Sequence, residues 1–378
     1  MKLLATPPAL ALYIHFPWCV KKCPYCDFNS HPAGESLPQT AYTTQLINEL
    51  QQHKDLVSQR MITSIFIGGG TPSLWKDDHL KTLMNYINSN YNTSPALEIT
   101  LEANPGTVET KYLNGYLEAG INRLSLGVQS FCSNQLKRLG RIHTADEAII
   151  AFNNARKLGF NNINIDLMFG LPQQTLINSQ NDLNTAIDLK PEHISWYQLT
   201  IEPHTAFAQF PPALPEDEEL ITLQKQGQNT LKHNGYIQYE ISAYAKHRRQ
   251  CKHNLNYWDF GDYLGIGAGA HSKVTQNNTI TRHWNQKHPK KYLATPCAQA
   301  GSRTLKHREY IFEFLMNRLR LNRPVLEAEF IRNTGADYSA IQSTLSTLYQ
   351  KRLIDAPNQL NLTTKGRLFL NDVLEHFL

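Results

Sequence analysis

Three cysteines lie within eight residues near the start of the chain, in the run Cys19-Val-Lys-Lys-Cys23-Pro-Tyr-Cys26. Seven residue steps span at most ~25 Å, so a loop can wrap all three thiolates around one centre. A redox dithiol would use only Cys23 and Cys26 and leave Cys19 without a role. A zinc site would need His15 or His31 as its fourth ligand. An iron–sulfur cluster normally takes four thiolates, so three leave one iron open to a further ligand, and this third alternative fits best.

Six β-type runs, separated by segments of helical pattern, must position this loop. Most of their spacings lie near the ~30 residues of one βαβ unit, which predicts a parallel sheet. Six such units in succession favour an α/β fold in the form of a partial (β/α)6 TIM-type barrel. The predicted strands are Leu12–Phe16, Ile62–Ile67, Leu97–Glu102, Leu124–Gln129, Ile163–Leu167 and Ile194–Leu199.

Three of these strands alternate apolar with polar residues, although parallel strands are usually apolar on both faces. The polar positions end in Glu102, Gln129 and Asp166, each near the C-terminal end of its strand. Successive side chains point to opposite faces, so if helices cover the apolar face, the polar face lines the interior. We therefore predict a wet ligand cavity at the end of the barrel where active sites are built. The alternative is an antiparallel sheet with one solvated face.

Beyond the predicted barrel the pattern changes twice. Prolines within residues 203–215 mark a boundary, after which a strand is predicted over Tyr236–Ser242. Near the C-terminus we predict three helices and a small hairpin, an arrangement that resembles a winged helix: Tyr310–Leu319, Val325–Asn333, Ser339–Lys351, Leu353-Ile354 and Leu360–Leu362. We divide the chain into a barrel (1–203), a connecting α/β region (204–301) and a C-terminal winged-helix-like domain (302–378).

The composition limits the classes of function. Of 378 residues, 41% are hydrophobic and 18% charged, an ordinary globular composition that excludes disorder. The formal net charge of +5 suits a small anionic ligand and falls short of a nucleic-acid-binding surface. Six cysteines are too few for a disulfide scaffold. No apolar run has the length of a signal peptide or a membrane span, so we predict a cytoplasmic location.

The spacing Cys-x3-Cys-x2-Cys, with Tyr25 before the third cysteine, resembles the radical S-adenosylmethionine family. The resemblance implies a 4Fe–4S cluster on these three cysteines, with the amino and carboxylate groups of S-adenosylmethionine on the open iron and Tyr25 beside the cofactor. The run Gly68–Pro72 ends the second strand, where this family holds the methionine amino group, and it implicates Gly70 and Thr71. Alone the run is weak evidence, because Gly-Gly turns are common.

The resemblance extends to the oxygen-independent coproporphyrinogen oxidases of this family, in which a Tyr, a Glu, a Gln, an Arg and an Asp contact S-adenosylmethionine. Motif by motif, these residues match Tyr13, Glu102, Gln129, Arg141 and Asp166. Carboxylates can accept hydrogen bonds from ribose hydroxyls, and Arg141 can pair with the methionine carboxylate. The alternative is a polar barrel interior whose groups satisfy one another.

Two features separate the chain from those oxidases. The oxidases carry a further cysteine two positions after the third, where this chain has Phe28. Residues 251–258, CKHNLNYW, resemble the His-Asn-x-x-Tyr-Trp hallmark of the HemW-type haem chaperones. This resemblance covers essentially the whole chain and implies that His253 is an axial ligand of haem iron or helps to hold haem. The alternative is a buried His–Asn pair that bonds the backbone.

The resemblance thus implies a haem chaperone that binds haem and passes it to an acceptor protein, while it carries a 4Fe–4S cluster and S-adenosylmethionine. The alternative is an anaerobic coproporphyrinogen III oxidase, an activity that we do not expect here. Haem and an acceptor that the sequence does not identify are the expected partners, with a transient membrane-protein acceptor and a homodimer as further hypotheses. Nucleic acid is not expected, because the basic residues of the C-terminal region are scattered among acidic ones.

Overall fold

The strands of the protein fall into one large sheet and two small ones. The computed structural model describes residues 8–107 and 110–378. In this part of the chain the strands are β1 (Leu10–Phe16), β2 (Trp18–Cys19), β3 (His31–Pro32), β4 (Ile62–Gly69), β5 (Thr93–Ala103), β6 (Arg123–Gln129), β7 (Ile163–Phe169), β8 (His193–Gln198), β9 (Ile237–Gln238), β10 (Ala243–Ala245), β11 (Asp262–Ile266), β12 (His271–Gln276), β13 (Thr279–Asn285), β14 (Gln299–Thr304), β15 (Ile354–Ala356) and β16 (Gln359–Leu362).

Helices separate most of the strands and begin and end at local signals. In one helix Thr144 Oγ1 accepts the N–H of Glu147, and Gly159 ends that helix in the left-handed conformation. No helix within the described ranges is both long and apolar enough to cross a bilayer. The helices are α1 (Gln39–Gln52), α2 (Lys54–Ser58), α3 (Asp77–Asn90), α4 (Thr110–Glu118), α5 (Ser133–Arg138), α6 (Ala145–Leu158), α7 (Leu176–Asp188), α8 (Ala206–Gln209), α9 (Asp217–His233), α10 (Lys252–Trp258), α11 (Pro289–Ala294), α12 (Tyr310–Arg318), α13 (Glu327–Thr334), α14 (Gln342–Gln350), α15 (Thr364–Leu368) and α16 (Leu370–Glu375).

A mixed sheet of twelve strands forms the centre of the molecule, in the order β14-β13-β12-β11-β1-β4-β5-β6-β7-β8-β10-β9. The strands from β11 to β8 in this order run parallel. All six predicted strands are present and lie side by side in chain order, so the predicted α/β architecture is confirmed. Their apolar faces, which include Leu101, Leu124 and Ile165, are fully buried in the main core.

The sheet extends beyond the six predicted strands at both edges. β11 pairs with β1, with Leu264 opposite Leu12, and β12–β14 continue that edge in antiparallel fashion. At the other edge β10 and β9 follow β8. The prediction of one strand over Tyr236–Ser242 is wrong, because the segment folds back as the β9–β10 hairpin. The Glu240 carboxylate accepts the N–H of Ser242 at 3.2 Å, which removes that donor from a strand ladder.

The C-terminal region surrounds a second apolar core, to which Phe260 and Ile280 also contribute. The three predicted helices are present as α12, α13 and α14, and the predicted hairpin is β15–β16. Phe314, Phe330 and Leu345 are fully buried among these elements. Arg318 is also buried, and its Nε lies 2.5 Å from Glu329 Oε1. A buried guanidinium is tolerated here because a carboxylate neutralises its charge.

Candidate functional site

The three clustered cysteines lie on the loop that follows β1, at the C-terminal end of the first parallel strand. The short parallel pair β2–β3 closes the base of this loop, with Trp18 opposite His31. The N–H of His31 donates to the carbonyl of Pro17 at 2.7 Å, and the N–H of Ala33 donates to that of Cys19 at 2.8 Å. Backbone pairing therefore holds the loop in a defined shape.

All three thiols line one cavity of about 530 Å³. Cys19 is buried, whereas Cys23 and Cys26 are half-buried and joined by a turn in which the N–H of Cys26 donates to the carbonyl of Cys23 at 3.1 Å. Burial raises the pKa of the Cys19 and Cys26 thiols. Among the described residues, no three His, Cys, Asp or Glu side chains are grouped so that they could hold a single metal ion. The thiols stand along the wall of a space that has room for a multi-iron cluster.

The glycine run at the end of β4 packs directly beneath the cysteine loop. The N–H of Gly70 donates to the carbonyl of Phe16 at 2.7 Å, and that of Thr71 to the carbonyl of Trp18 at 2.7 Å. A Cβ atom on Gly70 would lie 2.4 Å from the carbonyl oxygen of Trp18. Only glycine lets these two backbones approach so closely, and Trp18 directly precedes the first cysteine.

Glu102 and Asp166 lie on the strand faces that the alternation predicted to point inward. Glu102 Oε2 accepts the N–H of Gly69 at 3.1 Å. Burial, together with the nearby negative charge of Asp166, raises the pKa of Glu102 to about 8, so this carboxyl is largely protonated at neutral pH. Asp166 accepts hydrogen bonds from Ser125 Oγ at 3.0 Å and Asn164 Nδ2 at 2.7 Å. Asp166 is therefore held by its neighbours, and Glu102, Ser125 and Asp166 all line the open cavity.

Gln129 and Arg141 meet at the end of β6. Gln129 has a φ of +70°, a left-handed conformation that is costly for a non-glycine residue, and its side chain accepts the Tyr197 hydroxyl at 2.8 Å. Arg141 donates from Nη2 to the carbonyl of Gly127 at 2.6 Å and from Nη1 to Cys23 Sγ at 3.7 Å. In the described structure no acceptor meets its buried Nε. One donor of this guanidinium therefore remains for an acidic ligand group.

We call this space the cysteine cavity. Besides the three cysteines, it is lined by seven of the residues predicted to contact a cofactor: Tyr25, Gly70, Thr71, Glu102, Gln129, Arg141 and Asp166. Three thiols and an unpaired guanidinium donor fit a 4Fe–4S cluster and the methionine carboxylate of S-adenosylmethionine, and the carboxyls of Glu102 and Asp166 fit its ribose hydroxyls.

A second cavity, of about 590 Å³, opens beside the first. We call it the histidine cavity, because His15, His31 and His271 line it. Tyr13, predicted at the cofactor, lines this cavity and not the cysteine cavity, and its hydroxyl lies 3.0 Å from His15 Nδ1. The two cavities share a wall that includes Phe28, Gly69 and Glu102.

His253 lies outside both cavities. Its side chain is 1% exposed, with Nδ1 3.1 Å from Ser64 Oγ and Nε2 3.1 Å from the Tyr257 hydroxyl. Burial lowers the pKa of His253 to about 3, so the imidazole is neutral. Because both ring nitrogens have partners, ligation of iron would require one of these hydrogen bonds to break. Its partner Tyr257, in contrast, lines the histidine cavity.

Some cavity residues were not among the predicted ones. Ser195 and Tyr197 on β8 line the cysteine cavity, and their alternation with apolar neighbours is a signal that could have identified them. His271 and Lys287 line the histidine cavity. The spacing of residues within their own segment gives no sign that these two side chains face a cavity. The segment reaches the site only because β11 pairs with β1, far away in the sequence.

Family models and a solved structure agree with this architecture. The model of the Radical SAM (S-adenosylmethionine) superfamily matches residues 13–182, and that of the HemN C-terminal domain matches residues 305–369. The coproporphyrinogen III oxidase HemN of Escherichia coli, a radical SAM enzyme, matches with a TM-score of 0.85 over 98% of this chain and 90% of that chain. The two sequences are 23% identical, so this likeness shows the fold.

Relatives of higher identity are similar to the chain over nearly its whole length. The heme chaperone HemW of Haemophilus influenzae is 49% identical over 377 residues, which cover 98% of each chain. That of Escherichia coli is 46% identical, again over 98% of each chain. That of Bacillus subtilis is 36% identical over 97% of this chain and 98% of the relative. The chain belongs to the HemW family of the radical SAM superfamily.

Proposed function

We propose that this protein is a haem chaperone, which binds haem and passes it to an acceptor protein while it carries a 4Fe–4S cluster and S-adenosylmethionine. Membership of the HemW family supports the haem-binding part, because relatives 36–49% identical bear the name heme chaperone. The observation that carries the proposal is the shared wall of the two cavities. The cysteine cavity suits the cluster and its cofactor, and the adjoining cavity leaves a separate space for a porphyrin.

The cluster and cofactor would occupy the cysteine cavity. Cys19, Cys23 and Cys26 would supply three thiolate ligands, which would leave one iron of the cluster open to the amino and carboxylate groups of S-adenosylmethionine. Arg141 pairs with that carboxylate through its unpartnered Nε. The backbone of Gly70, beneath the cysteine loop, lies beside the methionine amino group.

The remaining cofactor contacts would come from the polar strand ends. Asp166 accepts hydrogen bonds from the ribose hydroxyls of S-adenosylmethionine. Glu102, being largely protonated at neutral pH, can donate to the ribose as well as accept. Thr71, Tyr25 and Gln129 complete the wall. Tyr13 acts from the histidine cavity, where it holds the ring of His15.

His253 helps to hold haem through Tyr257. Its Nε2 bonds the Tyr257 hydroxyl and so orients a ring on the wall of the histidine cavity. We expect both His253→Ala and the milder Tyr257→Phe to weaken hemin binding, because each substitution removes this hydrogen bond. A Soret titration measures the effect. Unchanged hemin affinity in both variants would remove His253 from haem binding.

Anaerobic reconstitution with iron and sulfide, followed by hemin titration with and without S-adenosylmethionine, tests this function. We expect a cluster whose electron paramagnetic resonance spectrum changes when the cofactor is added, and a Soret band that saturates with hemin. Haem transfer is then measured by separating the loaded protein from an apo haem protein, soluble or membrane-bound, and quantifying haem on each. One bound zinc ion in place of the cluster, or no saturable hemin binding, would overturn the proposal.

The same preparation distinguishes the chaperone from an oxidase. Incubated anaerobically with a reductant, S-adenosylmethionine and coproporphyrinogen III, it is expected to form no protoporphyrinogen. Formation of that product would instead establish a coproporphyrinogen III oxidase.

A further inference from the structure

We propose that the histidine cavity is the haem site, that His271 is the protein ligand to the haem iron, and that Lys287 pairs with a haem propionate. This inference rests on the proposed function and adds a location, an iron ligand and a charge partner to it. His271 begins β12, and Lys287 follows the end of β13.

The chemistry of the cavity wall matches a flat ligand with an apolar face and a carboxylate edge. Its volume of about 590 Å³ is within the usual range for ligand sites, about 300–1,000 Å³. Phe28, Tyr257 and Tyr263 contribute aromatic surface. The wall also carries Lys22 and Lys287, whose ammonium groups can pair with carboxylates. A porphyrin with two propionates has both features.

Of the three histidines on this wall, His271 has free ring nitrogens. Those of His15 are both engaged, with the Tyr13 hydroxyl at 3.0 Å and the carbonyl of Asn29 at 2.8 Å. His31 Nε2 lies 3.3 Å from Asn29 Oδ1, and the His31 ring also forms a hydrogen bond with the backbone of Lys287. Among the described residues no hydrogen bond holds the exposed side chain of His271.

The environment of His271 also favours iron ligation. Its ring lies beside that of Trp284, which is opposite it in the β12–β13 pair, with the ring centroids 6.5 Å apart. Partial burial, with the positive charges of Lys287 and Arg282 nearby, lowers the pKa of His271. An unprotonated imidazole presents the lone pair that iron requires.

A tight turn fixes where His271 stands. Gly267 and Gly269, with φ of +101° and +76°, form the turn between β11 and β12. A Cβ atom on Gly269 would lie 2.4 Å from Asn29 Nδ2, so this turn sits directly against the loop after the cysteines. Asn29 Nδ2 donates to the carbonyls of Ala268 and Lys287, both at 2.9 Å. One side chain thus ties together the segments that carry His271, Lys287 and the cysteine loop.

The charges on the cavity wall favour binding of the propionate edge of haem at Lys287. The acidic groups that line the cavity are Asp27 and Glu102. Burial raises the pKa of Glu102 to about 8, so this carboxyl is largely neutral at neutral pH and adds little negative charge to the wall. Lys22 already donates to the carbonyl of Phe28 at 3.1 Å and adjoins a cysteine of the cluster site, which leaves Lys287 as the cation to test.

The test compares hemin with metal-free protoporphyrin IX, titrated into reconstituted wild-type protein and into His271→Ala. Loss of an outer-shell partner of a metal ligand commonly costs about 10–100-fold in affinity, so removal of the ligand itself should weaken hemin binding at least about tenfold. The Soret maximum should shift, and added imidazole should restore it. Protoporphyrin affinity, followed by fluorescence, should stay within about twofold of wild type, because this porphyrin has no iron to ligate.

Two further variants complete the design. His233→Ala, at an exposed histidine at the end of α9, should leave both titrations unchanged. Lys287→Gln should weaken hemin and protoporphyrin alike, because both carry the propionates.

The outcomes separate this inference from the proposed function. If wild-type protein binds no hemin, the proposed function fails. If it binds hemin but His271→Ala keeps the wild-type affinity and Soret maximum, His271 is not the ligand. Equal losses of hemin and protoporphyrin in His271→Ala would also exclude a role as iron ligand. Unchanged binding of both porphyrins in Lys287→Gln would overturn the propionate contact.

Discussion

The two adjoining cavities are built in different ways. The cysteine cavity is formed by the ends of consecutive parallel strands, β4 to β8, and by the loop after β1. The histidine cavity is formed where that loop meets the β11–β12 turn, more than two hundred residues further along the chain. One site follows from the repeated βα unit, whereas the other exists only because β11 joins the sheet beside β1.

The cavities also differ in how firmly their side chains are held. In the cysteine cavity Gln129, Arg141 and Asp166 are each fixed by hydrogen bonds. On the histidine cavity, in contrast, His271 and Lys287 are both exposed. A fixed, buried wall suits a cofactor that stays bound, and an exposed wall suits cargo that must leave. The comparison therefore predicts that the two sites can be impaired separately.

The largest effect is expected from Cys23→Ala, which removes one of the three proposed cluster ligands. We expect reconstituted protein to lose nearly all bound iron and sulfide and the cluster's visible absorption. Hemin binding should persist, because the thiol does not line the histidine cavity. Cys297→Ala is the matched control, since that cysteine is exposed and outside both cavities. Loss of hemin binding together with the iron would show that the two sites are not separable.

A smaller effect is expected from Gly70→Ala, which leaves every ligand in place. Its Cβ would meet the backbone of Trp18 at 2.4 Å, and relief of such a clash costs about 3 kcal/mol. Because Trp18 precedes Cys19, iron content should fall along with the unfolding midpoint. Gly34→Ala, where a Cβ would meet no atom within 4 Å, should change neither quantity. Full iron content in Gly70→Ala would contradict the close packing beneath the loop.

The smallest effect is expected at Glu49, which supports the turn of the histidine cavity. Its Oε2 accepts the N–H of Gly267 at 3.0 Å and the Tyr292 hydroxyl at 2.6 Å, and burial raises the pKa of Glu49 from 4.5 to about 7. Between these values the native state binds more protons than the unfolded chain. This contribution to stability is therefore complete below pH 4.5 and is lost as the pH rises through about 7.

Glu49→Gln should abolish that pH dependence. From pH 5 to pH 7 the variant should gain about 2 kcal/mol relative to wild type, since one pKa unit corresponds to about 1.4 kcal/mol. Unfolding midpoints of both proteins across this range measure the change. A stability difference that stays constant with pH would contradict the assigned protonation of Glu49.

Sequence reasoning reached the cysteine cavity because its signals are local. The alternation in β5, β6 and β7 placed Glu102, Gln129 and Asp166 on one face near the strand ends, and the structure has them on one wall. The prediction for Tyr13 came from the family resemblance, and that side chain lines the histidine cavity. Sequence reasoning also missed the β9–β10 hairpin, where the Glu240 carboxylate accepts a hydrogen bond from the backbone N–H of Ser242.

By itself the sequence determined the parallel units, the three thiols at the end of the first strand and the polar strand ends, because each depends on spacing within one or two elements. The tertiary structure alone decided that a second cavity exists and which residues face it. Leu264 lies opposite Leu12 across some 250 residues of chain, and that pairing carries His271 to the cysteine loop. Contacts of this separation leave no periodic trace, since they arise from the packing of the completed sheet.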